Sequence, residues 1–236
     1  MPALNEAAAI EAALQPLQVW RAHGVHVLVV DGGSTDATVS LARPLADQVI
    51  ESQRGRARQM NAGAAAAPGE ALLFLHADTT LPEGAPGAIL AALGIQDPLP
   101  PTVFGQSVGK KAGPARAWGR FDVRILGQSP MLAVVAWCMN LRSRLSGIAT
   151  GDQALFMTRA AYDAVGGFPD QPLMEDIEIC RRLKRLGPPA CLRLQAQTSG
   201  RRWEERGVWR TIFLMWRLRL AYFFGVSTEY LARAYR

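Results

Sequence analysis

Apolar residues along the first eighty positions follow two periodicities in turn. After Asn5 and Glu6, the residues Ile10, Leu14 and Leu17 recur at spacings of four and three, which marks one helix face. Val25-His26-Val27-Leu28-Val29-Val30 then reads as a buried strand. It stops at Asp31-Gly32-Gly33-Ser34-Thr35-Asp36, where two glycines permit a tight turn and Ser34 or Thr35 can cap a helix. Val49-Ile50-Glu51 predicts a short strand and Gly55 to Ala67 an alanine-rich helix. Ala71-Leu72-Leu73-Phe74-Leu75 is another continuous apolar strand, ending at His76-Ala77-Asp78. This β-α-β-α-β order implies an α/β fold with a mainly parallel sheet flanked by helices. Ligands of such sheets bind beyond the carboxyl ends of the strands, so Asp31 and Asp78 are expected to face one crevice.

The texture changes between Gln96 and Ala117, where Pro98, Pro100, Pro101 and Pro114 accompany Gly105, Gly109 and Gly113; residues 97–117 predict an exposed loop. Its Gly105-to-Lys111 stretch falls one residue short of a phosphate loop and lacks Ser or Thr after the lysine. Beyond it, Gly119 to Arg124 reads as a strand, Met131 to Leu141 as a helix and Ala154 to Met157 as a strand. Glu175-Asp176 opens a further helix with Ile179, Leu183 and Leu186 on one face, basic residues toward its end, and Gly187-Pro188 as its stop.

At 236 residues and 49% hydrophobic composition the chain can bury a sizeable core, and we expect one main domain over 1–200 with a helical segment over 201–236. Cys138, Cys180 and Cys191 are odd in number and form no C-x-x-C pair, which favours a reducing cytosol. The longest apolar run, Met131 to Met139, is too short to span a bilayer, and no secretory signal pattern opens the sequence. Charge then changes the picture. From Ser199 to Arg236, eight arginines against three glutamates supply +5 of the net +6, and nine of the eighteen aromatics lie in the same stretch. Only three of the 26 basic residues are lysine, which argues against general nucleic-acid binding. Ile212, Trp216, Leu220 and Phe223 share a helix face, with Arg206, Arg210 and Arg217 on an adjoining one. That is the pattern of an amphipathic helix lying on an anionic membrane surface. The expected placement is cytoplasmic, peripheral on the inner face of the cell membrane.

Acidic residues stand at element edges: Asp31, Asp78 and Glu175-Asp176. Each alone could cap a turn or serve a helix dipole. Together, in a sheet crevice, they form a set that can hold a divalent cation against a nucleotide diphosphate. The ordered segments are Pro2-Ala3-Leu4-Asn5-Glu6, Val29 to Asp36, Gly55 to Gly63, Phe74 to Asp78, and Gly166-Gly167-Phe168 followed by Glu175-Asp176. In this order they resemble the family 2 glycosyltransferases of GT-A fold. His-Ala-Asp at 76–78 and Ser-Gly-Arg-Arg-Trp at 199–203 are similar to a compact bacterial subgroup that includes carotenoid-acid glycosyltransferases.

The resemblance implies residue roles. Asp31 would contact the nucleotide, with Asn5 and Glu6 in the same pocket and Arg56, Gln59, Asn61 and Gly63 forming its second wall. Asp78 would bind Mg²⁺ or Mn²⁺. His76 stands where many members have the first Asp of D-x-D, and its imidazole could bind the metal or a phosphate or serve only the structure. Asp176, beside Glu175, would be the general base toward the acceptor. Arg202 and Trp203 resemble a pair that holds the diphosphate and acceptor end, the alternative being a solvated basic turn before the last helix. Apart from the resemblance, Thr150-Gly151-Asp152-Gln153 reads either as a plain turn or as an acceptor contact with Asp152 a second base. The resemblance also implies an apolar strand ahead of Pro2, so a central strand is expected to be missing. The activity implied is inverting transfer of a sugar from a nucleotide-diphosphate donor to a hydroxyl or carboxyl acceptor, lipid-linked or carotenoid-like. Two alternatives share the crevice: a nucleotidyltransferase, which would release pyrophosphate, and an inactive nucleotide-binding membrane scaffold, which would bind without turnover.

Overall fold

In the computed structural model, which describes residues 1–96 and 114–235, strands and helices alternate as the apolar pattern predicts. The first half runs β1 (Pro2–Ala3), α1 (Ile10–Leu14), α2 (Gln18–Arg21), β2 (Leu28–Asp31), α3 (Thr38–Ala42), β3 (Gln48–Glu51), α4 (Arg56–Ala66) and β4 (Ala71–Phe74). It continues through β5 (Thr79–Thr80), α5 (Ala85–Leu93), β6 (Trp118–Leu126), α6 (Met131–Ser146), β7 (Leu155–Thr158), α7 (Arg159–Ala164), α8 (Glu175–Leu183) and β8 (Ala190–Ser199). Three helices follow: α9 (Arg201–Arg206), α10 (Val208–Phe223) and α11 (Thr228–Tyr235). Most of the expected 97–117 loop, including the Gly105-to-Lys111 stretch, lies outside the described residues. No helix among those described is long and apolar enough to cross a membrane.

Strands β1, β2 and β3 form a parallel sheet in that order, and Val29 at its centre is fully buried. The other five strands run β4-β7-β6-β8-β5. There β6 and β8 are parallel and the remaining neighbours antiparallel. The main core packs Ile10, Leu14 and Trp20 with Leu75, Phe121 and Phe156. A second core under α4 and α8 holds Trp118, Met157, Ile179, Cys180 and Leu183.

The structure departs from the sequence reading in several places. β8 has no counterpart among the expected strands: Leu192, Leu194 and Ala196 alternate with the exposed Arg193, Gln195 and Gln197, so no continuous apolar run advertises it. α8 ends at Leu183, and Leu186, expected on its buried face, is exposed. On α10, Ile212 packs inward against Val123, Ile125 and Leu132 instead of sharing the outer face with Trp216. Arg206 belongs to α9, where its Nη1 donates to the Tyr235 carbonyl at 3.0 Å.

β1 has only two residues and pairs with β2 at Val30 and Asp31. The Met1 amine donates to the Leu28 carbonyl at 2.8 Å, and burial pushes it down to about 5. Beyond Met1 a cavity of about 410 Å³ separates β2 from β4. Its walls include Val27 and Leu28, Leu72 and Phe74, Met60 and Ala64 of α4, Trp20 and Ile89. An apolar strand placed there would pair with both sheet edges. Buried backbone groups without partners cost ~1–3 kcal/mol each, and ~1 kcal/mol moves Tm by roughly 2–4 °C at this size. A chain carrying an apolar segment ahead of Met1 is therefore expected to melt roughly 5–10 °C higher in calorimetry. Equal melting temperatures would mean that the two edges are already satisfied.

Candidate active site

Two loops at the carboxyl end of the first sheet are stitched together by side chains. Asn5 adopts φ +53°, its Oδ1 accepts the Thr35 N–H at 2.9 Å, and its own N–H donates to Ser34 Oγ at 2.9 Å. The Glu6 N–H donates to Thr38 Oγ1 at 2.8 Å. Asp31 is buried, and its Oδ2 accepts the N–H groups of Gly33 and Ser34 at 2.9 Å. Its other oxygen takes the Ser34 hydroxyl, so the carboxylate shapes the turn that follows β2.

Gln59, Asn61 and Gly63 are turned toward protein, not toward the crevice. Buried Gln59 donates Nε2 to the carbonyls of Ala3 and Val30, both at 2.8 Å, tying α4 to β1 and β2. Asn61 donates to the Phe168 carbonyl and accepts from the Tyr162 hydroxyl and the Phe168 N–H. A Cβ on Gly63 would meet Val30 Cγ2 at 3.0 Å, so glycine lets α4 lie close on β2. Trp203 packs with the Val123, Ile125 and Leu132 cluster instead of lining the site.

Four other candidates, Arg56, His76, Glu175 and Asp176, converge. Arg56 at the start of α4, His76 after β4, Gly151 of the 3-10 turn Gly151–Gln153, and Glu175 and Asp176 at the start of α8 line one small pocket. Arg56 Nη1 lies 3.3 Å from Oε1 of the buried Glu175. The Gly151 N–H donates to Asp176 Oδ2 at 3.2 Å, and the Ile177 N–H donates to Asp176 Oδ1 at 2.8 Å. His76 Nδ1 lies 3.4 Å from Asp152 Oδ1. A side chain at Gly151 would put its Cβ 2.3 Å from the His76 ring, so only glycine allows this approach. Three non-glycine residues among those described have positive φ: Asn5, Ala154 and Met174. Each adjoins a site segment, and such strain is typically retained where geometry serves a function.

The two carboxylates that could act as a base differ. Burial, with the adjacent Glu175 charge, pushes Asp176 up to about 6 against the opposing charge of Arg56. Burial also pushes Asp152 up, but the hydrogen bond and charge of His76, with Arg56 and Arg202, leave it below the ordinary carboxylate value. Asp176 is the stronger base near neutral pH. At the mouth, Asp78 is exposed and acts on Glu6, whose carboxyl is raised by burial and by that neighbouring charge while Arg201 and Arg202 oppose the rise. Arg202 itself donates to the Tyr235 hydroxyl and stacks over its ring.

Among the described residues no three His, Cys, Asp or Glu side chains gather into a metal-binding group. His76 is committed to Asp152, and Asp78 stands in the field of Glu6. This donor set does not make a closed cage; it fits a hard cation held by one or two carboxylates and completed by substrate phosphates. Sequence reasoning missed Arg142 on α6, which resembles an ordinary basic helix position. Its Nε and Nη2 are buried without a hydrogen-bond partner, and Asp176 is the first charge to oppose the downward pull of its burial.

The architecture is the Rossmann-like GT-A fold. The mannosyltransferase PcManGT from Pyrobaculum calidifontis, solved with GDP-Man and Mn²⁺, matches with TM-score 0.59 at 22% identity, over 93% of this chain and 59% of its own. TarS from S. aureus with UDP-GlcNAc gives 0.60 at 17%, over 84% and 56%. Glucosyl-3-phosphoglycerate synthase from Mycobacterium tuberculosis, with Mn²⁺, UDP and glucosyl-3-phosphoglycerate, gives 0.51 at 19%, over 84% and 68%. The chain thus spans less than two thirds of the first two proteins, and at these identities the likeness concerns the fold. No curated protein matches the sequence. The family profile matches residues 1–118, half of the chain, and on that match the chain belongs to glycosyl transferase family 2.

Proposed function

We propose that the protein transfers a sugar from a nucleotide-diphosphate donor to an acceptor hydroxyl or carboxyl, with inversion at the anomeric carbon. The observation that carries this reading is Asp176, a carboxylate raised to about 6, held by the Gly151 and Ile177 N–H groups and backed by the Arg56–Glu175 pair. Asp176 takes the acceptor proton as the acceptor oxygen bonds to the anomeric carbon. The bond from that carbon to the diphosphate breaks on the opposite side, releasing a nucleoside diphosphate. Glu175 and Arg56 fix and tune the base; Asp152 orients His76. Asp78, with His76 nearby, would hold Mg²⁺ or Mn²⁺ together with the donor's phosphates. The cation supplies positive charge against that of the leaving diphosphate. Arg201 and Arg202 face the same end of the crevice and suit the same anion. Asn5, Glu6 and the turn held by Asp31 bound the nucleotide side.

The acceptor in this reading is lipid-linked or carotenoid-like, as in the subgroup that His-Ala-Asp resembles. Mass spectrometry of reactions between nucleotide sugars and lipid extracts tests the reading. Glycosylated product with free nucleoside diphosphate in equal amount is the expected outcome. Pyrophosphate as the released product would assign the crevice to nucleotidyl transfer instead, and donor binding without turnover would assign it to a scaffold.

A further inference from the structure

Helix α10 is buried on one side and bare on the other. Inward, Leu214, Met215, Leu218 and Ala221 share a cluster with Leu173, Met174 and Ile177 around the start of α8. Outward, Trp209 (61% exposed), Phe213 (67%), Trp216 (71%), Leu220 (59%) and Phe223 (81%) follow one another at spacings of four, three, four and three. They therefore form one continuous stripe along the helix. Large aromatic side chains bring ~150–250 Å² each, so the stripe leaves on the order of 500–600 Å² of apolar surface in water. That is at the upper end of the largest patch found on ordinary monomers. The neighbouring helix α6, joined to α10 through Val208, Ile212 and the Val123 cluster, adds a bare stripe of its own: Val134, Trp137, Leu141 and Leu145.

The charges beside the stripe say what covers it. α10 contains Arg210, Arg217 and Arg219 and no acidic residue, and Arg210 and Arg217 are exposed. A protein partner would need a complementary apolar face with acids at its rim. An anionic bilayer presents both an acyl boundary and phosphates to any helix of this kind, and indole rings favour that boundary. We propose that α10 docks on the surface of an anionic membrane, with the Trp209-to-Phe223 stripe in the headgroup boundary and Arg210 and Arg217 on lipid phosphates. Because its other face packs around Met174, the docked helix holds Glu175 and Asp176 about one helix spacing, ~10 Å, from the lipid. On the transfer reading above, the acceptor is then a membrane-resident lipid whose polar end reaches Asp176.

Vesicle sedimentation tests the docking without any need for turnover, so its failure is separate from failure of the transferase assignment. The full 236-residue chain should pellet with phosphatidylglycerol-containing vesicles, less with phosphatidylcholine alone and less in high salt. Phe213→Glu with Trp216→Glu should lower the apparent partition coefficient at least tenfold while Tm stays unchanged, since both side chains are already bare. Arg210→Gln with Arg217→Gln, which leaves every apolar contact in place, should weaken binding to the anionic vesicles alone. Equal pelleting of wild type and the Phe213/Trp216 double variant, or no pelleting of wild type, overturns the proposal. So does a wild-type dimer in sedimentation equilibrium that the same variant loses, which would make the stripe a contact between two copies.

Discussion

Asp176→Asn is expected to lower turnover by ~10²–10⁴-fold, the range for loss of general-base help, while donor affinity stays near that of wild type. The side chain sits at the start of α8, where each carboxylate oxygen accepts one backbone N–H, so an amide of equal size keeps the 2.8 Å bond from Ile177 through its oxygen and gives up the longer one from Gly151. Wild-type turnover should rise with pH and level off above about 6, since only the ionised carboxylate accepts a proton, and this limb should vanish in the variant. Stability moves the other way. A carboxyl raised above its unfolded value contributes stability below that unfolded value and loses it as pH rises through about 6. Above that pH the wild type carries a half-buried charge that the variant lacks, so the melting temperature of Asp176→Asn relative to wild type should be higher at pH 8 than at pH 4. A weaker donor affinity with intact turnover of bound substrate would make Asp176 a binding contact and not the base.

Asp78→Asn is expected to abolish transfer to within detection, at least ~10²–10³-fold down, because a cation opposite a leaving diphosphate contributes several kcal/mol and tenfold in rate is ~1.4 kcal/mol. The fold should survive the change. Asp78 is exposed, among the described residues its carboxylate accepts a single long bond, from Thr79 Oγ1 at 3.3 Å, and the Ser199 N–H bonds to its backbone carbonyl, which the substitution keeps. Turnover measured across a manganese and magnesium titration, beside a melting curve, reads both effects. Near-normal turnover with unchanged metal dependence would remove Asp78 from the role.

How much of this was legible in the sequence depended on how far apart the partners lie. α4 and β2 fall within a few residues of their expected bounds, since apolar runs and glycine stops act locally. α6 runs five residues past Leu141, until Gly147 takes φ +67° and ends it. Asp78, Glu175, Asp176 and Arg56 stand at element ends, where sequence position alone places a side chain near the crevice. Gln59, Asn61 and Gly63 sit mid-helix, and whether they face pocket or protein was decided by Val30, Tyr162 and Phe168, up to 107 positions away. The positive φ of Met174 and the burial of Arg142 against α8 are tertiary consequences with no local signal.

The cavity between β2 and β4 divides more than a sheet. Among the described residues, strand pairing joins β1, β2 and β3 and, separately, the other five strands, so the two groups are held together by their shared core and by the Gln59 bonds to Ala3 and Val30. No hydrogen-bond ladder of the described residues crosses that line, so the amides of the smaller group, with α1 to α3, are expected to open and exchange with solvent before those of the larger sheet. Every such opening bares two apolar strand edges, and bare edges recruit their like from other molecules. At constant temperature, aggregation of this chain is therefore expected to quicken as its concentration rises.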